Sequence, residues 1–213
     1  MVNTIEAIDL FCGAGGLTFG LQNAGIKVLA GVDIDPNCRY PYEENNNSQY
    51  IDKSVENIQG AFLRKLYSKS SVRVLAGCAP CQPFSSYSQG KRGTQDDKWK
   101  LLRELSRLVL ESKPHIVTME NVPKLANHSV FQEFIKTLKR NKYQVTYQVV
   151  KCEKYGLPQT RRRLVLMASR LGEIRLPPAP EDTCSETVRS AIGSCRHLHK
   201  IDAGTNASKD PLH

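Results

Sequence analysis

Four short segments carry the residue types that could do chemistry. Gly77-Cys78-Ala79-Pro80-Cys81-Gln82-Pro83-Phe84-Ser85 offers two thiols three residues apart, and Glu120-Asn121-Val122 offers a carboxyl. Gln159-Thr160-Arg161-Arg162-Arg163 offers a cluster of guanidiniums, and Asp9-Leu10-Phe11-Cys12-Gly13-Ala14-Gly15-Gly16 a glycine-rich turn. A thiolate is a soft, strong and reversible nucleophile. A C-x-x-C pair also invites a zinc or redox reading. No second pair stands at metal spacing, no histidine cluster completes four ligands, and the thioredoxin pattern is absent, so no metal is expected. Two half-buried thiols in a loop remain the plainer alternative. For Glu120 that alternative is an acid at a helix N-terminus, favoured by the dipole.

Glycines in the first turn let the backbone bend tightly and approach a ligand, with free N–H groups at the helix that follows. Thr18 stands where a G-x-G-x-x-G fingerprint needs its third glycine, which argues against a nicotinamide oxidoreductase. A bare glycine turn is equally a tight strand-to-helix connection. Asp33 ends the next apolar run, seventeen residues after Gly16 (33 − 16), where a carboxylate can accept hydrogen bonds from ribose hydroxyls. Asp35 is instead placed to cap the helix that Pro36 begins.

These residues need elements to position them. Strands are predicted at Ile5 to Phe11, Lys27 to Val32, Val72 to Ala76, His115 to Met119, Tyr143 to Val150 and Leu164 to Ala168. Helices are predicted at Leu17 to Ala24, Trp99 to Leu110 and Val130 to Leu138. Such alternation implies an α/β fold, a doubly wound, mainly parallel sheet that binds ligands beyond the carboxyl ends of its strands. Asn45-Asn46-Asn47 reads as a short polar loop. From Arg170 the pattern decays. Residues 1–175 are read as the catalytic domain and 176–213 as a connector that opens with the stiff Leu176-Pro177-Pro178-Ala179-Pro180. Apolar residues at 40% and charged residues at 24% fit a globular chain. Thirty Lys and Arg against 21 acids give a net charge of +9, which favours a polyanionic partner. No signal-peptide or membrane-span pattern is present, and seven irregularly spaced cysteines do not form a disulfide framework. A cytoplasmic, reduced location is expected.

Pro80-Cys81-Gln82, Glu120-Asn121-Val122, Gln159-x-Arg161-x-Arg163 and Asp9-x-Phe11-x-Gly13-x-Gly15-Gly16 together resemble the cytosine-C5 DNA methyltransferase family, in its order and with similar separations. The resemblance runs from about Ile5 to Ala168, and patchily on through Thr187-Val188-Arg189. It implies the S-adenosylmethionine-dependent methyltransferase fold, S-adenosyl-L-methionine as cofactor and S-adenosyl-L-homocysteine as product. By resemblance Cys81 is the thiolate that adds to C6 of cytosine. Glu120 contacts N3 and the exocyclic amine, and Arg161 and Arg163 position the base and support the cysteine loop. As alternating strand residues the two arginines would share a face, leaving Arg162 to solvent. Phe11, Gly13, Gly15, Gly16, Asp33, Ile34, Ser54, Pro80 and Leu101 are the implied cofactor contacts. Family members flip the target cytosine out of double-stranded DNA. The segment from Ser85 to Lys98 would be a mobile loop closing over that duplex, with Ser85, Lys91 and Arg92 as phosphate contacts. Lys91-Arg92-Gly93 reads equally well as an ordinary solvated loop tip.

Two departures stand out. An acid usual near the third strand end is replaced by Ser54-Val55, with Asp52 two positions earlier. The family's target-recognition region and later motifs are not found before His213. A truncated chain, or one subunit of an enzyme split between two polypeptides, is therefore expected, within a restriction-modification system and close to the bacterial nucleoid. The alternatives are the same chemistry on tRNA cytosine, or a non-catalytic S-adenosylmethionine-binding paralogue, which the presence of both Cys81 and Glu120 disfavours.

Overall fold

The computed structural model describes residues 4–80, 99–180 and 187–192. Seven strands form one sheet: β1 (Ile5–Leu10), β2 (Lys27–Asp33), β3 (Gln49–Asp52), β4 (Val72–Gly77), β5 (Ile116–Asn121), β6 (Gln144–Lys151) and β7 (Arg162–Ser169). Their order is β3-β2-β1-β4-β5-β7-β6. The β1–β2, β1–β4, β2–β3 and β4–β5 pairs are parallel, whereas β7 runs antiparallel to β5. From β1 the chain winds outward to β3 and then returns to β4 on the other side of β1. That reversal opens a crevice at the carboxyl ends of β1 and β4, the switch point at which doubly wound sheets bind ligands.

Side-chain alternation along β1 shows how both sheet faces are covered. Ala7 joins Val28, Val74, Leu21 and Ile26 on one face, where α1 (Gly16–Asn23) lies. Ile8 and Leu10 enter the main core with Leu75, Met119 and Leu164. That core is closed by α3 (Gly60–Leu66), α4 (Lys100–Ser112) and α5 (Ser129–Arg140). The helical spacing read for α4 is the observed buried stripe, Leu102, Leu105, Leu108 and Val109, and in α5 the stripe is Val130, Phe131, Phe134, Ile135 and Leu138. A short 3-10 turn at Pro36–Cys38 leads into α2 (Arg39–Asn45), and Asp35 caps it by accepting the Asn37 N–H at 3.0 Å.

Two sequence readings need correction, and two elements go unread. β3 and α3 carry no signal in the sequence, because a four-residue strand and a seven-residue helix are too short to display a period. The Asn45–Asn47 stretch is more than a polar loop: Asn45 ends α2, and Asn46 is buried with its Nδ2 donating to the Tyr42 carbonyl at 2.8 Å. Arg161 and Arg163 do not share a strand, since β7 begins at Arg162.

The chain divides into two compact units, residues 1–150 with 162–178, and residues 151–161 with 179–213. Described parts of the second unit include a 3-10 turn, Cys152–Tyr155, closed by the Cys152 N–H donating to the Arg161 carbonyl at 2.8 Å. It also holds α6 (Val188–Ile192), where Thr187 and Ser190 cap each other.

Candidate active site

The turn after β1 is held in an unusual backbone conformation. Phe11 has φ 60°, Gly13 φ 51° and Gly15 φ 95°, all left-handed, so a non-glycine residue at Phe11 carries local strain of the kind that collects at ligand sites. Gly15 ends the turn as the N-cap of α1, and no side chain caps that helix end. The turn is tied to β2 by Asp33, whose Oδ2 accepts the Gly13 N–H at 2.9 Å. Asp33 Oδ1 accepts the N–H groups of Ile34 and Asp35 at 2.7 and 3.1 Å. The predicted pair of glycine turn and β2 acid is thus one physical unit at the switch point.

What this unit fits can be tested on its surroundings. A side chain added at Gly13 or Gly16 would meet nothing within 4 Å, so both glycines face open space. Ile34, two-thirds exposed at the end of β2, is an apolar side chain the core does not use, and Phe11 is half-buried at the end of the neighbouring β1. A carboxylate, uncapped helix N–H groups and an apolar wall form a donor and acceptor set for an adenosyl ligand that bears a carboxylate. Ser54 caps the turn Val55–Asn57 by accepting the Glu56 N–H at 3.3 Å, Leu101 packs half-buried against the main core, and Pro80 is exposed.

Beneath the turn lies a buried polar network that sequence reasoning does not assign. Asp9 is fully buried and its Oδ2 accepts the Thr18 hydroxyl at 2.8 Å. Thr18 also meets the Tyr42 hydroxyl at 3.1 Å, which reaches Ser48 at 3.1 Å. Burial pushes the Asp9 carboxyl up to about 7; hydrogen bonds from Thr18 oppose that rise and the Asp33 charge adds to it. Burial likewise pushes Tyr42 up to about 12. The one signal in the sequence is Thr18 itself, a hydroxyl where a dinucleotide fingerprint would have a glycine.

The second cluster stands at the ends of β4 and β5. The Cys78 N–H donates to the Leu10 carbonyl at 3.2 Å, which sets the segment leading toward Cys81 beside the glycine turn. Asn121, buried, donates from Nδ2 to the Ala79 carbonyl at 2.9 Å and accepts the Val122 N–H at 2.8 Å. It therefore clamps the end of β5 to that same segment. Glu120 points the other way from Asn121, and its Oε1 is ion-paired with the Arg163 Nε. Its Oε2 accepts from the Cys78 thiol at 2.9 Å. Antiparallel pairing explains the arrangement, because Glu120 sits opposite Val165 and so brings Arg163 within reach. Cys78 and Asn121 stand inside the motif segments, yet the sequence assigns neither to the site. A thiol contact across two strands leaves no trace in spacing.

Cys81, Ser85, Lys91 and Arg92 lie outside the described residues, as does the loop expected from Ser85 to Lys98. Arg161 belongs to the second unit, where it is exposed. No group of His, Cys, Asp and Glu among the described residues is arranged to hold a metal, and no described helix is long and apolar enough to cross a membrane. A hollow of about 400 Å³ lined by Thr146, Met167 and Arg175 contains none of the expected site residues.

The family model for C-5 cytosine-specific DNA methylases matches residues 5–209. The Type II methylase M.HgiDII of Herpetosiphon aurantiacus is 47% identical over 191 residues, 88% of this chain and 53% of that protein. The Type II methyltransferase M.AquIA of Picosynechococcus sp. is 30% identical over 199 residues, 86% of this chain and 79% of that protein. The chain thus spans about half the length of M.HgiDII and most of the shorter M.AquIA. Among solved structures, a DNA modification methyltransferase encoded within an E. coli prophage shares the fold at TM-score 0.73 and 23% identity, covering 89% of this chain and 54% of that one. Spodoptera frugiperda DNMT2 does so at TM-score 0.71 and 20% identity, covering 93% and 61%. The sheet order and switch-point geometry match the methyltransferase fold, and the chain belongs to the C-5 cytosine-specific DNA methylase family.

Proposed function

We propose that this chain carries the cofactor-binding and base-modifying chemistry of a DNA cytosine-C5 methyltransferase of a Type II restriction-modification system. The observation that carries the reading is Glu120, held between Arg163 and Cys78 at the switch point. Cys78 stands only three residues before the thiol of Cys81 (81 − 78). The cofactor, S-adenosyl-L-methionine, supplies an electrophilic methyl group when bound. Asp33 would accept its ribose hydroxyls, Ile34 and Phe11 would flank the adenine, and the N–H groups that open α1 would receive its carboxylate. Gly13 and Gly16 would leave open space for it and Gly15 would turn the chain into α1, with Ser54, Pro80 and Leu101 completing the wall. Residues 1–175 act as this catalytic domain and 176–213 as a connector.

The Cys81 thiolate adds to C6 of a flipped cytosine. Electron density moves toward N3 and C5, and Glu120 shares a proton with N3 so that the ring does not build up full negative charge. Carbon 5, now nucleophilic, would take the methyl group and leave S-adenosyl-L-homocysteine; the C5 proton would then pass to water as the C6–S bond breaks and returns the Cys81 thiolate. Arg163 fixes the Glu120 carboxylate throughout, and Arg161 supports the base. Ser85, Lys91 and Arg92 contact phosphates. Reading of a base sequence falls to the portion of the longer relatives that this chain does not span, whether joined to it or carried on a second polypeptide.

Two measurements test this. Calorimetry with S-adenosylhomocysteine and with NAD examines the cofactor site, and heat from NAD alone overturns the reading. Tritium transfer from labelled cofactor to duplex DNA, with tRNA in parallel and with the recognition portion of a long relative added, examines the chemistry. Cys81→Ser abolishes transfer and leaves S-adenosylhomocysteine binding within about twofold, because a hydroxyl is far less acidic and polarisable than a thiol. Cys78→Ser is mild, since it keeps a donor for Glu120. A reversal of the two effects assigns the nucleophile to the wrong cysteine.

A further inference from the structure

Among the described residues the cations at the two ends of the sheet differ in how far acids neutralise them. At the carboxyl ends of the strands Arg39, Lys100 and Arg163 are paired with Asp52, Glu56 and Glu120, and Asp33 and Asp35 add further acids. The amino ends gather cations as well. Lys27 opens β2 and pairs at 3.7 Å with the buried Glu6 of β1. Glu6 in turn accepts the N–H and hydroxyl of Ser68 at 2.7 and 2.8 Å, which brings the adjacent Lys69 to the same end. On β4 the Arg73 N–H donates to His115 Nδ1 at 3.0 Å.

Lys113 precedes β5, and the Pro114 carbonyl beside it accepts the Tyr143 hydroxyl at 2.6 Å, which fixes the neighbouring Lys142 there as well. Because β7 is antiparallel, its far end returns to this pole. Arg170 stacks 4.4 Å above the Tyr143 ring and donates to the Asn141 carbonyl at 3.0 Å. His115 records this crowding: burial holds its pKa below the ordinary value, and the charges of Arg73 and Arg170 lower it further.

A continuous run of cations, Lys27, Lys69, Arg73, Lys113, Lys142 and Arg170, is therefore tied together along the amino edge of the sheet. Four of them, Lys27, Lys69, Lys113 and Lys142, are exposed lysines. Among the described residues Lys27 is the one of the six in an ion pair. From β2 to β6 there are five strand intervals, a row of about 24 Å at about 4.8 Å each. A compact anion cannot use a row of that length. A duplex, with a phosphate about every 3.4 Å along each strand, can.

We propose that this edge is a second, sequence-independent DNA surface that grips the phosphate backbone of a duplex segment distinct from the one entering the catalytic crevice. The proposal rests on the DNA-modifying reading above for the identity of the polyanion. A six-residue strand is about 20 Å long, so the two surfaces lie on opposite sides of the sheet's core and one straight duplex cannot occupy both. Binding a second segment raises the local concentration of DNA and favours transfer between segments over release into solvent.

The test is fluorescence anisotropy of the full chain with a labelled duplex of about 20 base pairs lacking cytosine modification, from about 50 to about 200 mM salt. The variant is Lys69→Gln with Lys113→Asn and Lys142→Asn. Lys113 and Lys142 have φ of 50° and 65°, and asparagine tolerates the left-handed region. The expected result is a drop in the salt slope of between about two and three, near ~0.9 for each phosphate no longer neutralised, with at least about tenfold weaker binding at about 100 mM. Lys142→Asn alone should lower the slope by about one, which keeps the test intact if the triple variant melts early. Unchanged affinity and slope overturn the proposal, as does tighter binding of single-stranded RNA than of duplex. Calorimetry with S-adenosylhomocysteine, run on the same variant, is expected to be unchanged. Its failure in the unmodified chain would instead count against the methyltransferase reading.

Discussion

Asp9→Asn should remove a pH dependence of stability that the unmodified chain carries between about pH 4 and pH 7. Asp9 is fully buried, one oxygen takes the Thr18 hydroxyl, and Oδ1 has no hydrogen-bond partner among the described residues. Burial raises its carboxyl from 3.8 to about 7. Below about pH 4 the folded and unfolded chains both hold the proton, so Asp9 does not bias folding. Between about pH 4 and 7 the unfolded chain releases the proton while the folded chain keeps it, and stability falls by about 1.36 kcal/mol per pH unit. Above about pH 7 both forms are ionised and the loss levels off at about 4 kcal/mol. Asparagine keeps an acceptor for Thr18 but cannot ionise.

Urea denaturation of the full chain and of Asp9→Asn at about pH 4, 5.5, 7 and 8 measures this directly. The difference between the two proteins is the useful quantity. It cancels Glu6 and Glu111, whose lowered carboxyls add stability as pH rises, and His115, whose lowered value costs stability as pH falls. Asparagine is expected to gain about 4 kcal/mol on aspartate between about pH 4 and pH 8. A difference that stays constant within about 1 kcal/mol would refute the reasoning, because Asp9 would then ionise as an ordinary carboxyl.

Gly31→Ala drives a methyl group into the buried Tyr42 ring, so thermal or urea unfolding should show a loss of at least about 2 kcal/mol and weaker S-adenosylhomocysteine binding, with equal stability counting against a rigid Tyr42. Arg163→Ala frees Glu120 Oε1 and should lower kcat about a hundredfold or more with little change in cofactor affinity, while Arg163→Lys recovers part of it. An Arg163→Ala enzyme of normal kcat would show that the ion pair is structural only.

How much of the molecule is legible in the sequence depends on whether a residue acts through its own element or across elements. The strands that carry the glycine turn, Asp33 and Glu120 are readable because apolar runs of five or six residues end at each of them. The stripes of α4 and α5 are readable because helical spacing survives over three turns. β3 and α3 are too short to repeat anything. The antiparallel return of β7 is invisible, since a buried strand reads alike in either direction, and that return is what pairs Arg163 with Glu120. Arg161 shows the limit from the other side. Alternation places it on Arg163's strand, but the strand starts one residue later. Cys78 and Asn121 form bonds between strand ends distant in sequence, and no local pattern encodes them.

Tyr42 explains why the glycine turn can be both strained and well defined. Its ring fills the space a side chain at Gly31 would need and, together with Asn46, the space at Gly15, so those two glycines are small for the packing around it and not only for the turn. Its hydroxyl meets Thr18, which holds Asp9 on β1, and Asn46 from the end of α2 returns to its carbonyl. A left-handed Phe11 costs of order 1–3 kcal/mol and persists only where neighbours over-determine it. Here the neighbours are Asp33, which fixes Gly13 from β2, and this tyrosine, which fixes the floor from α2. Loss of either support should let the turn relax toward ordinary backbone angles. The sheet would keep its order, because its two cores are built from other side chains along β1 and its neighbours. Loss of the fully buried Tyr42 should cost fold stability as well, whereas loss of the Asp33 carboxylate should act mainly on the turn it ties to β2.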